Sequence, residues 1–238
     1  MKNIIYQPWG GLGDNLAHSI IPELCNKAGL PCFLSNQNAC KNSEIKELVW
    51  DNNPFITGRV DSTDMSWLDQ IKPFETPGSN HIEAIQRVYG FEPISKYPQI
   101  YYSPKHIIDA KDISIVDLSA HSISGDFVNS IDKLKELVKS VSNNPKTYFI
   151  INDKLDYGKS FNSVMGELPK IKITSLFDYA DYLGSVKQFI TLHSGAHILA
   201  ATIKNKLQSD LQIDTFSFRK YLDRVDYNFP NVNYISLN

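Results

Sequence analysis

Six residues, Gly10-Gly11-Leu12-Gly13-Asp14-Asn15, constrain this chain more than any others. They follow a short segment, Asn3 to Pro8, that reads as a strand. After them Leu16, Ala17, Ile20, Ile21 and Leu24 recur at three- and four-residue spacing, which marks one face of a helix. That spacing predicts a helix from about Asp14 to Lys27, stopped at Gly29, and then a second strand from Leu30 to Ser35. Strand, tight turn, helix and strand make a βαβ unit, and a βαβ unit makes a parallel sheet.

The rest of the chain repeats the alternation. In the first half, Glu44–Val49 reads as a short helix, Phe55–Thr57 as a strand and His81–Tyr89 as a helix with Ile82, Ile85, Val88 and Tyr89 on one face. The stretch Asp61–Asn80, with Pro73, Pro77 and Gly78, reads mostly as loop. Pro98 and Pro104 frame an extended run, Gln99–Ser103, and the expected boundary follows, giving lobes 1–108 and 109–238. The second half restarts with a strand at Ile113–Leu118. It continues with a helix at Asn129–Ser142, strands at Thr147–Asn152 and Ile171–Ile173, a helix at Leu176–Leu183, a strand at Gln188–Leu192, a helix reaching Lys204 and a last strand at Val232–Ile235. Two doubly wound α/β lobes are the natural reading.

Composition narrows the function classes. Lys plus Arg is 24 and Asp plus Glu is 26, with the signs interspersed, so no basic surface for a duplex is expected and no nucleic-acid partner. Cys25, Cys32 and Cys40 lack the spacing of a C-x-x-C or zinc motif and read as small hydrophobes in a reducing, cytoplasmic setting. No apolar run approaches the roughly 18–20 residues that span a bilayer, so any membrane association would be peripheral.

Three segments carry chemistry. In the first, Gly10–Asn15, glycines permit positive φ and close approach of a ligand, and the helix start adds free N–H groups and partial positive charge. It lacks the third glycine of G-x-G-x-x-G and the Lys-Ser/Thr of a Walker A loop. Asp14 there also suits a plain helix cap. In the second, Phe189–Ala201, a strand runs through His193-Ser194-Gly195-Ala196-His197 into a helix, whose small-residue mouth favours an anion. His197 there could bond a phosphate or the neighbouring backbone. His193 and His197 stand four apart, but no Glu completes an H-E-x-x-H metal motif. The third is the loop after the strand Ile113–Leu118, which holds Ser119, His121 and Ser122 at the edge where open α/β sheets bind ligands. Trp9, before the first glycine turn, and Trp67, in a polar loop, could each stack on a sugar or pack in the core, and Trp67 is the better acceptor candidate.

Gly-Leu-Gly-Asp at 11–14, with Pro22 in the helix that follows, resembles the opening of the heptosyltransferase-like glycosyltransferases. Phe189–Ala201 resembles their second-lobe signature, a strand leading into Asp-Ser-Gly-x-x-His-x-Ala-Ala: Ser194, Gly195, Ala200 and Ala201 match, His193 replaces the Asp, and His197 falls one position early. The resemblance implies a GT-B-like architecture, with two Rossmann-like doubly wound lobes whose parallel sheets face across a cleft. It also implies hexosyl- or heptosyl-type transfer from a nucleotide sugar to a saccharide or glycolipid acceptor, as in polysaccharide biosynthesis. By it, Ser119, His121, Ser122, His193, Ser194, Gly195 and His197 would bind the donor, and Asp14 would act as general base. Gly11, Gly13, Asn15 and Trp67 would border the acceptor. No metal and no cofactor beyond the donor is expected. A noncatalytic sugar- or nucleotide-binding module, or a nucleotide-sugar epimerase or hydrolase, would fit the same residues.

Overall fold

The computed structural model describes residues 2–75, 80–119, 131–141, 144–151, 168–218 and 227–237. The chain forms two compact units: Met1–Ser103 with Arg224–Phe229, and Pro104–Asp223 with Pro230–Asn238. The division falls before Pro104 rather than after residue 108, because the residues between are bonded to the second unit. Lys105 N–H donates to Asp181 Oδ1 at 2.7 Å, and Ile107 N–H to Ser185 Oγ at 2.8 Å.

In the first unit, β1 (Ile4–Ile5), β2 (Phe33–Ser35) and β3 (Gly58–Val60) form a parallel sheet in that order. Among the described residues β1 has no second neighbour, so this sheet is half of the doubly wound pattern expected from the sequence. The expected single helix after the glycine turn is two, α1 (Leu12–His18) and α2 (Ile21–Lys27). Pro22 explains the break: it has no N–H to continue the ladder and is favoured in a first helical turn. Gly29, at φ +69°, then lets Leu30 N–H reach back to Cys25 O at 2.9 Å and closes α2.

Further along, α3 (Ser43–Lys46) runs into a π-helical turn, Glu47–Asp51. The strand expected at Phe55–Thr57 instead begins at Gly58, because Ile56 N–H closes a turn on Asn53 O. The stretch expected to be mostly loop contains α4 (Ser66–Ile71), which buries Trp67 and Ile71. Next, α5 (His81–Val88) starts on a reciprocal cap: Asn80 Oδ1 accepts from Glu83 N–H, and Glu83 Oε2 accepts from Asn80 N–H, both at 3.0 Å. Its stripe of Ile82, Ile85 and Val88 is buried as the spacing predicts.

The second unit holds β4 (Ser114–Asp117), α6 (Ile131–Val141), β5 (Thr147–Ile151), β6 (Lys170–Lys172), α7 (Leu176–Leu183), β7 (Gln188–Leu192), α8 (Gly195–Leu207), β8 (Gln212–Ser217) and β9 (Asn233–Ser236). The sheet runs β6-β5-β4-β7-β8-β9, parallel throughout. This is the doubly wound order, with its switch point between β4 and β7. Every residue of both strands is buried, as a sheet covered on two faces requires. Val116, Leu118, Leu134, Val138, Ile190, Leu192 and Phe216 pack into one core.

β8 escaped the sequence reading because its polar side chains are buried too. Asp214 accepts from Gln188 Nε2 at 2.7 Å, Gln212 Nε2 at 2.8 Å and Asn233 Nδ2 at 2.7 Å, which ties β7, β8 and β9 together.

His18 sits on α1 inside the first unit's core. Its Nδ1 lies 3.2 Å from Asp14 O, and its ring meets Trp67 edge-on at 4.7 Å between centroids. Burial lowers its pKa to about 4, against a partial rise from the Asp14 carbonyl and a lowering by His81. The unfolded chain therefore takes up this proton below about pH 6.5, while the folded chain resists it until about pH 4. The His18 contribution is complete above pH 6.5 and drains away as pH falls, by roughly 3 kcal/mol near pH 4. Urea unfolding followed by tryptophan fluorescence at pH 7 and pH 4.5 should show a smaller acid loss for His18→Phe than for the wild type. Equal losses in the two proteins would refute this linkage.

Candidate functional site

In the first unit the glycine turn is fastened from below. Gln7 Oε1 accepts from Trp9 N–H at 2.6 Å and Gly10 N–H at 3.2 Å. Lys41 N–H donates to Gly10 O, and Ala39 N–H to Gln7 O, both at 2.8 Å. Gly10 holds φ +68°, and a Cβ there would stand 3.3 Å from Lys41 N. A Cβ on Gly11 would stand 2.5 Å from Asp14 Oδ2. Gly10 is therefore required by its conformation, whereas a Cβ on Gly11 would push the Asp14 carboxylate aside from the Gly11 N–H.

Asp14 is the third residue of α1, and its Oδ2 accepts the Gly11 N–H at 3.2 Å. The carboxylate thus reaches back to the helix start, as the capping reading expects. It is half-buried. Burial raises its pKa, opposed by the Gly11 bond and by the charges of Lys41 and His81. A raised pKa suits a carboxylate that accepts a proton near neutrality.

Two acceptor-side expectations need correction. Asn15 is fully buried. Its Nδ2 donates to Gly11 O at 2.9 Å and Ala39 O at 3.1 Å. Its Oδ1 receives Trp50 Nε1 at 2.6 Å, Asn38 Nδ2 at 3.2 Å and Cys40 Sγ at 3.4 Å. Asn15 therefore ties the glycine turn to the segment 38–40 and leaves no face for a ligand. Trp67 is 3% exposed, donates Nε1–H to Tyr6 O at 3.0 Å and packs edge-on against Trp9. The exposed ring is Trp9, at 49%. Gly11 and Gly13 are half-buried in the turn and first helical turn.

In the second unit the candidate residues gather at the switch point. Asp117 at the end of β4 is the register partner of Thr191 on β7, so Ser119 and His193 leave the sheet at the same level. His121 and Ser122 lie outside the described residues. Ser194 caps α8, its Oγ accepting from Ala196 N–H at 3.3 Å, and Gly195 opens the helix. His193 N–H donates to Phe216 O at 3.0 Å, and its Nδ1 faces Ser217 Oγ at 3.2 Å. Burial, then the neighbouring His197, lowers the His193 pKa to about 2, so the ring at this helix mouth is neutral.

His197 is also placed differently from expectation. Its ring is fully buried, with Nδ1 2.9 Å from Ser194 N and 2.5 Å from Ser194 O. Nδ1 thus meets both backbone groups of Ser194: it accepts from the N–H in one tautomer and donates to the carbonyl in the other. His197 bonds the neighbouring backbone at the helix start and packs against the His193 ring, 4.5 Å between centroids.

Asp117 and Tyr179 were not anticipated. Asp117 Oδ1 accepts from Ser119 N–H at 2.8 Å, and its Oδ2 accepts from Tyr179 OH at 2.6 Å. The sequence signal for Asp117 is a carboxylate ending an apolar strand two residues before a hydroxyl. Tyr179 has none beyond its place on the apolar face of α7.

Comparison with known proteins identifies the fold. No protein-family model matches the sequence, and no curated protein matches it. Solved glycosyltransferases do share its structure. One is a glycosyl transferase family 9 protein from Veillonella parvula, at TM-score 0.58 and 11% identity over 98% of this chain and 84% of that one. Another is the dodecameric iron-containing glycosyltransferase TibC of enterotoxigenic E. coli, at 0.62 and 16% over 98% and 64%. A third is the E. coli heptosyltransferase WaaC with ADP, at 0.53 and 9% over 98% and 90%. TibC has also been solved with ADP-D-β-D-heptose. At these identities the likeness is one of fold.

If Asn15 is the internal tie described, Asn15→Ala strands the buried Trp50 indole N–H and takes the side-chain donor from Ala39 O, while Gly11 O keeps the backbone N–H of residue 15. Each such group costs about 1–3 kcal/mol. Chemical unfolding should show a loss of about 2 kcal/mol or more. A change within about 0.5 kcal/mol, ordinary for a surface residue, would return Asn15 to the ligand side.

Proposed function

We propose that this chain is a glycosyltransferase that holds a nucleotide-sugar donor at the switch point of its second unit and uses Asp14 as the base on an acceptor hydroxyl. The observation that carries the reading is the convergence of Ser119, Ser194, Gly195 and the start of α8 at the carboxyl ends of β4 and β7. Open parallel sheets bind ligands there, and the N–H groups and dipole of a helix start attract phosphate. The shared fold with glycosyltransferases, one of them solved with ADP and another with ADP-D-β-D-heptose, supports the same chemistry.

In the proposed reaction the acceptor oxygen bonds to the anomeric carbon while the bond from that carbon to the diphosphate oxygen breaks. The hydroxyl proton passes to the Asp14 carboxylate, and the nucleoside diphosphate leaves with the bonding electrons. Its charge is met by the α8 amides and by the Ser119 and Ser194 hydroxyls, so the step needs no metal. The acceptor is a saccharide or glycolipid hydroxyl.

Calorimetric titration with ADP, UDP, GDP and CDP tests the donor half: at least one should bind, and bind equally in EDTA. Silence from all four would defeat the reading. Asp14→Asn tests the base half. Its amide oxygen still accepts the Gly11 N–H, so nucleotide affinity should stay while kcat drops about 10²–10⁴-fold, the usual contribution of a general base. The wild-type rate should fall on the acid side as Asp14 protonates, at a pH above the ordinary carboxylate range because burial raises that pKa. An Asn variant that turns over normally would remove Asp14 from the mechanism.

A further inference from the structure

Asp117 is a buried carboxylate, 6% exposed, that the proposed chemistry does not use. Among the described residues no cation pairs with it. A lone buried carboxylate is costly unless hydrogen bonds compensate it, and here each oxygen has a short one. The donors come from different elements: the Ser119 N–H from the chain leaving β4, and the Tyr179 hydroxyl from α7.

Tyr179 is buried and rests edge-on against Phe189 of β7, with 6.1 Å between ring centroids. One carboxylate therefore connects the end of β4, Ser119 two residues on, and a helix packed on β7. These are the two strands that flank the switch point.

We infer that Asp117 is a positioning residue for donor binding, acting through Ser119. By holding the Ser119 amide it sets where that half-buried residue, and with it the hydroxyl, stands beside the mouth of α8. The Tyr179 hydroxyl holds the carboxylate in turn. The inference rests on the proposed donor site. It also separates geometry from charge, because an amide at this position keeps the Oδ1 acceptor that holds Ser119 and has no carboxylate to oppose a bound diphosphate. Removing the charge and keeping the acceptor should therefore not harm binding.

The test is calorimetric titration of the full chain with the tightest of ADP, UDP, GDP and CDP. It uses wild type, Asp117→Asn, Asp117→Ala, Ser119→Ala and the Asp117→Ala/Ser119→Ala double variant, each checked for native circular dichroism and cooperative melting. Asp117→Ala should weaken binding about tenfold, the effect of one lost charge-assisted bond. Asp117→Asn should bind within about threefold of wild type or tighter, since its Oδ1 still accepts the Ser119 N–H. In the Ser119→Ala background, Asp117→Ala should add less than about twofold, the non-additivity expected of residues acting through one contact.

Equal effects of Asp117→Ala in both backgrounds, or an Asn variant as weak as the Ala variant, would overturn the inference and leave the donor site standing. A native wild type that binds none of the four would overturn both. Should Asp117→Ala not fold, Tyr179→Phe replaces it in the cycle. It removes one bond to the carboxylate, and the same rule applies: a loss that persists unchanged in the Ser119→Ala background refutes action through Ser119.

Discussion

A parallel strand can be followed by its neighbour only through a crossover that carries the chain back to the amino edge of the sheet. All that this molecule can do chemically depends on that constraint. Each crossover begins at a carboxyl end, so the turns after β1, β4 and β7 are released at the carboxyl edges of their sheets. In the second unit the order β6-β5-β4-β7-β8-β9 adds a reversal of direction at β4 and β7. Their crossovers depart to opposite sides there and leave the crevice in which Ser119 and the start of α8 meet.

Such an edge is useful only if its loops hold still, and here buried polar side chains hold them. Asn15 grips the glycine turn of the first unit with five hydrogen bonds of its side chain. Asp117 holds Ser119, two residues past β4, and His197 holds the residue before α8. Each is worth more than a surface contact, because losing one partner leaves another polar group buried and unsatisfied. The same economy appears at the sheet's other end, where Asp214 collects three amide donors from β7, β8 and β9.

Much of the fold was legible from periodicity. Leu176–Leu183 and Gln188–Leu192 occupy the spans their patterns predict, and α5 buries the stripe that its spacing marks. Two of the departures share one cause. β8 was missed because Asp214, Thr215 and Ser217 are buried within it, and pattern reading takes polar residues for exposed ones. Trp67 is the mirror case: its polar neighbours in sequence favour it over Trp9 as the exposed ring, but α4 turns it into the core. Asn15, beside three glycines, looked like a ligand contact until its five partners were seen to be the protein itself.

The sequence alone determined most of the alternation of strand and helix, the glycine turn after β1, and the small residues that open α8. These follow from local chemistry: the spacing of apolar side chains and the missing Cβ of glycine. Tertiary structure decided which polar groups face outward and which serve the interior. Trp50 reaches Asn15 across 35 positions, and Tyr179 reaches Asp117 across 62. Whether a carboxylate or an amide ends as a ligand contact or as an internal tie depends on which distant donor the fold brings within about 3 Å of it, and no local pattern encodes that meeting.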